Sequence, residues 1–155
     1  MNVYLLVKTL HILSSTVLFG TGIGIAFFMF RSRFSADLQQ RYYAARTTVL
    51  ADWLFTLPAG IVQPLSGIWL LWRAGFNPTD TWLITTYGLF ILAGCCWLPV
   101  VWIQLQLKNL LQEALTTGTP LPARYEKLFR IWFLLGWPAF LALLAIFYLM
   151  VAKPS

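Results

Sequence analysis

Residues 3–30 read VYLLVKTLHILSSTVLFGTGIGIAFFMF, a single apolar run that also holds the only histidine of the chain, His11. A helix that crosses the hydrocarbon core of a bilayer needs about 20 apolar residues. This run exceeds that length, and at 1.5 Å per residue it would extend about 42 Å, so it must tilt or protrude. A soluble core helix of this length would show a polar face, and none is visible here. The run therefore constrains everything that follows: the chain has to fold in lipid.

Three further runs have the same character, so four helices are expected at about 3–30, 47–72, 82–115 and 124–151. They use up most of the 155 residues and leave no room for a soluble domain, so residues 1–155 read as one four-helix transmembrane domain. Composition agrees, with 59% hydrophobic and 10% charged residues against roughly 25% charged in an average soluble domain. The runs are continuously apolar and lack the period-two alternation of a membrane β-barrel. The first run has no basic residues before it and no small-x-small site after it. It reads as a retained helix rather than a signal peptide.

The net charge of +6 sits at helix ends, which points to topology and not to nucleic acid. Arg31, Arg33, Arg41 and Arg46 lie between the first and second runs. Lys108, Arg124, Lys127 and Arg130 lie between the third and fourth or at the start of the fourth. The opposite side holds Lys8, Arg73 and Lys153, so eight positive residues face three. The expected arrangement is an all-α four-helix bundle in a bacterial inner membrane, with both termini external (N-out, C-out).

Local signals refine that frame. Gly20 and Gly24 form a small-xxx-small pair, extended by Thr16, a pattern that lets helices approach closely, within one chain or between protomers. Ser35 reads as an N-cap with Asp37 in the first turn, opening an amphipathic piece expected to lie at the cytoplasmic interface. The second run carries Asp52 and Gln63, with Pro58 and Pro64 freeing the carbonyls of Leu54 and Gly60. Such a helix should turn its polar residues toward the bundle interior. Asp80 or Thr81 reads as the next cap, and Gly118 as a stop. Cys95 and Cys96 are adjacent, a placement that disfavours a disulfide and lacks metal-ligand spacing. No catalytic triad, metal cluster or phosphate loop is visible.

Ionisable groups within a membrane span mark functional hypotheses. His11 offers an imidazole suited to haem ligation or proton transfer, or to a structural hydrogen bond with Gln63 at similar depth. Lys8 shares its face and either snorkels to the headgroups or meets an acidic group such as a porphyrin propionate. Asp52, at the other end, is expected to pair with Arg46, Arg31, Arg130 or Lys108. Gln104 lies at comparable depth, so Asp52, Gln63 and Gln104 are the candidates for a polar intramembrane cluster.

The stretches LLVKTLHILSSTVLFGTGIG, VLADWLFTLPAGIVQPLSG, GCCWLPVVWIQ and FLLGWPAFLALLAIFYLMVAKP resemble a family of small bacterial inner-membrane proteins known as predicted integral membrane proteins of unknown function. That resemblance covers the whole chain and implies four spans and an inner-membrane location, with no established activity. KTLHILSSTVLFGTG is also similar to the opening helix of four-helix membrane protoporphyrinogen oxidases (the HemJ type) and to copper-resistance D-type membrane domains. In the oxidases a first-helix Lys-x-x-His is associated with haem, and Lys8 and His11 match that position. The leading expectation is thus a haem-associated or redox-linked membrane protein, with haem b held by His11 and Lys8. The alternatives are a non-catalytic membrane subunit, a small-molecule or lipid binder, or a transporter-like protein with a polar cavity. Expected partners are membrane lipids and a homo-oligomer or membrane complex, not nucleic acid.

Overall fold

A computed structural model describes residues 2–154. Helix α1 spans Val3–Ser32, α2 Leu38–Ala51, α3 Leu57–Ala74, α4 Thr81–Thr117 and α5 Ala123–Ala152. A π-helical turn, Asp52–Thr56, joins α2 to α3 without a break, so the second span is one continuous helical body from Leu38 to Ala74. Four helical bodies among the described residues are long and apolar enough to cross a membrane. The chain is an all-α four-helix bundle.

Two expectations about the second span are corrected. Its N-cap is Asp37, whose carboxylate accepts from the Gln39 amide at 2.8 Å. Ser35 instead accepts from the Asp37 amide at 3.1 Å, one step earlier. The amphipathic piece does not form a separate helix along the interface either: it continues directly into the span. The second span and α4 each run 37 residues, or about 55 Å, well beyond a hydrocarbon core of about 30 Å. The polar start of α2 and the KNLLQEALTT end of α4 therefore project beyond the membrane at one end of the bundle.

That end holds the packed core. Met29, Ala45, Leu107, Leu111, Tyr125 and Phe129 are buried there, drawn from α1, α2, α4 and α5. Arg33 pairs with Glu126 at 2.8 Å, and Arg41 ties the α1–α2 connection by donating to the carbonyls of Ser35 at 2.7 Å and Arg33 at 2.8 Å. Three arginines at this end lie over aromatic rings, Arg31 over Phe34, Arg46 over Tyr42 and Tyr43, and Arg33 over Phe129 as well. Gly118 closes α4 at φ 69°, returning its amide to the Ala114 carbonyl at 3.0 Å. Glycine suits this left-handed position because it carries no Cβ.

Away from that end the bundle separates into two hairpins. α1 packs along α3, and α4 packs along α5. α1 and α5 meet through aromatic pairs, with Phe19 stacked on Phe140 at 5.5 Å and Phe30 on Phe133 at 5.1 Å. α3 and α4 scarcely touch along their lengths. The result is a cleft, closed at one end by the core and along one side by the phenylalanines.

Candidate functional site

Two polar groups lie inside the bundle, and they are separate. The first centres on His11, half-buried on α1. Its Nδ1 lies 2.8 Å from Ser66 Oγ, and its Nε2 lies 3.2 Å from Gln63 Nε2. Ser66 donates to the Val62 carbonyl at 2.6 Å, and Ser14 donates to Gln63 Oε1. These bonds form one directional chain. The Gln63 amide donates to a neutral imidazole, the imidazole Nδ1–H donates to Ser66, and the serine hydroxyls complete both ends. Gly67 allows the close approach, since a Cβ there would stand 3.2 Å from His11 Cε1.

This arrangement stitches α1 to α3. Both ring nitrogens of His11 are engaged, so haem iron could be ligated only by breaking one of those bonds. Lys8 is exposed on the bundle surface, and no group of three His, Cys, Asp or Glu able to hold a metal ion occurs among the described residues.

The second group centres on Asp52, 3% exposed, at the start of the π turn. Its Oδ1 accepts from Trp97 Nε1 at 3.3 Å. Thr56 and Gln104, 7% and 2% exposed, face the same carboxyl. The expected ion pair with Arg46, Arg31, Arg130 or Lys108 is not formed: Arg33–Glu126 is the salt bridge present among the described residues. Arg31 lies over the Phe34 ring and Arg46 over Tyr42 and Tyr43 instead. Asp52 Oδ2, Thr56 Oγ1 and Gln104 Oε1 are buried, and none of them completes a hydrogen bond of good geometry. Buried polar atoms without partners are uncommon and costly in native proteins, and each calls for an explanation.

Gln63 belongs to the histidine group and not to this one. It lies eleven residues beyond Asp52, or about 16 Å along the helix axis. Gly20 and Gly24 are likewise not packing contacts within the chain, because a Cβ at either would meet nothing within 4 Å.

The Asp52 group opens into the cleft, a cavity of ≈ 780 Å³ to which all four spans contribute. Its lining includes one glycine from each: Gly22, Gly60, Gly94 and Gly136. A Cβ at any of the four would enter open space, so these glycines widen the cavity rather than admit a neighbouring helix. The walls are otherwise aromatic and aliphatic. Ile61 on α3 and Ile91 and Leu98 on α4 are part of the lining and also 52%, 65% and 65% exposed, so the cavity opens sideways between α3 and α4. A second hollow of ≈ 260 Å³ shares Asp52, Leu57, Trp97 and Leu98 with the first and adds Trp53 and Trp102.

Residues 5–154 match the family model described as "Predicted integral membrane protein (DUF2269)". The chain belongs to the DUF2269 family. It is therefore a multi-pass integral membrane protein, and the family description names no activity. No curated protein and no solved structure matches it. Asp52 and Gln104 are legible in the sequence of this DUF2269 chain, whereas the roles of Trp97 and Thr56 are not. Threonine in a span and glycine in an apolar run carry no signal of their own until the facing helices are known.

Proposed function

We propose that this protein is a non-catalytic intramembrane binding protein, taking a membrane-dissolved small molecule or lipid into the cleft between its two hairpins. The observation that carries this reading is the cavity itself, ≈ 780 Å³ and largely apolar, with a few convergent polar groups at Asp52. Ligand sites have that volume and that lining in general. The gap between α3 and α4 faces the hydrocarbon, so an apolar guest can enter sideways without crossing water. The arginine-rich end of the bundle faces the cytoplasm of a bacterial inner membrane in this reading, by the charge bias of its loops. The bonds on both nitrogens of His11 favour a structural role for it over haem ligation through His11 and Lys8.

The test is retention. The wild-type protein, extracted with its surrounding lipid and examined by native mass spectrometry, should carry a bound small molecule. The double variant Gly94→Leu, Gly136→Leu places side chains in the open space of the cavity. It should fold and carry none. Equal retention by both proteins would remove the cavity from the mechanism.

A further inference from the structure

The three buried oxygens of the Asp52 group share one chemical property that says what the guest must offer. Oδ2 of Asp52 and Oε1 of Gln104 are acceptors, and Thr56 Oγ1 accepts as well as donates. No lysine or arginine forms a salt bridge with Asp52, and Trp97 Nε1 is committed to Oδ1. The protein thus presents an excess of acceptors in a region that water reaches poorly. Trp97 meets the same carboxyl, and Trp53 and Trp102 line the small hollow that Asp52 also lines. An indole face attracts a cation through its quadrupole, more strongly when the pair is desolvated.

We infer that the site takes a lipophilic primary amine, its ammonium group held at Asp52 and its hydrocarbon body in the cleft. This rests on the binding reading above and names the class of ligand. A primary ammonium brings N–H donors to this acceptor-rich group together with a positive charge for the carboxylate. An alcohol supplies one donor and no charge. A quaternary ammonium supplies the charge and no donor. A fatty acid brings a second carboxyl group, which repels Asp52 when both are ionised. The hollow beside Asp52, ≈ 260 Å³, is roomy enough for a small head group but not for the whole chain, which places the tail in the larger cavity.

The test compares four amphiphiles of equal chain length on the full-length protein in a maltoside detergent: dodecylamine, dodecyltrimethylammonium, dodecanol and dodecanoate. Binding is read from the rise in thermal unfolding midpoint over a concentration series. Dodecylamine should bind most tightly and dodecanoate least. Asp52→Asn should weaken dodecylamine by about tenfold or more, equivalent to about 1.4 kcal/mol, and leave dodecanol unchanged. Thr56→Val, which keeps the carboxyl, should weaken dodecylamine by a smaller factor and spare dodecyltrimethylammonium. If dodecanol or dodecyltrimethylammonium binds wild type as tightly as dodecylamine, the amine assignment is overturned while the cavity reading stands. If no amphiphile binds differently to wild type and to Gly94→Leu, Gly136→Leu, both are overturned.

Discussion

Gln63 shows how much one side chain can organise in a membrane. Its amide accepts from Ser14 and donates to His11, while His11 bonds Ser66 on the next turn of the same span as Gln63. In hydrocarbon these groups have no water to fall back on, so they must satisfy one another. Gln63→Leu deletes two bonds between α1 and α3 and leaves His11 Nε2 without a partner. Hydrogen bonds between membrane helices average about 0.6 kcal/mol and reach about 1.7. The variant should therefore lose about 1–3 kcal/mol in a denaturation series in mixed micelles. Unchanged stability would show that packing against Gly67 holds the hairpin by itself. His11 was conspicuous in the sequence because it is unique and lies within a span. Its partners were only partly legible: matching depth suggested Gln63, but nothing in the spacing pointed to Ser66 or to the glycine under the ring. The Asp52 site was legible to a similar degree. Asp52 and Gln104 stand out as polar residues in apolar runs, whereas the absence of a basic partner depends on where the arginine side chains turn. They turn to rings and loop carbonyls, and no sequence pattern records that.

At the level of elements, the spans could be read from the sequence because uninterrupted apolar length has one physical meaning in a chain this poor in charge. Their ends were harder. The cap moved from Ser35 to Asp37 because both residues offer an oxygen to an amide two positions on, and only the backbone decides which of them starts the helix. The π turn at Asp52–Thr56 left no signature except Pro58 just beyond it. Proline has no amide to donate, and the turn ahead of it shifts register so that the Leu57 amide reaches back five residues to the Asp52 carbonyl. The same local distortion lies where a buried carboxyl side chain enters the lining of the cavity. π turns are often found at functional sites for this reason, since they re-aim side chains without breaking the helix. The glycine pattern did not locate the contacts within the chain. Gly20 and Gly24 have the spacing of a packing motif, yet the glycine with a close neighbour is Gly67, and those that shape the site are spread one to a span.

For the whole molecule, the decisive feature is unequal packing between its two ends. A well-filled core of Met29, Leu107, Leu111, Tyr125 and Phe129 holds the hairpins together where α2 and α4 project. Nothing comparable joins α3 to α4 across the cleft. In the orientation proposed above, the charges at that same packed end face the cytoplasm. A membrane-impermeant thiol reagent applied from the periplasmic side should label Thr79→Cys, in the α3–α4 connection, and spare Ser35→Cys, in the α1–α2 connection. The reverse pattern would invert the protein. The central claim, that the cleft takes its guest from the bilayer, is met most directly by photo-crosslinking in intact membranes. A diazirine-bearing long-chain amine would be activated by light and its adducts mapped by peptide sequencing. Adducts concentrated on cavity residues such as Gly94, Gly136 and Phe140, and lost in Gly94→Leu, Gly136→Leu, are the predicted result. Adducts spread evenly over outward-facing residues such as Leu134 and Tyr148, and unaffected by filling the cavity, would contradict it.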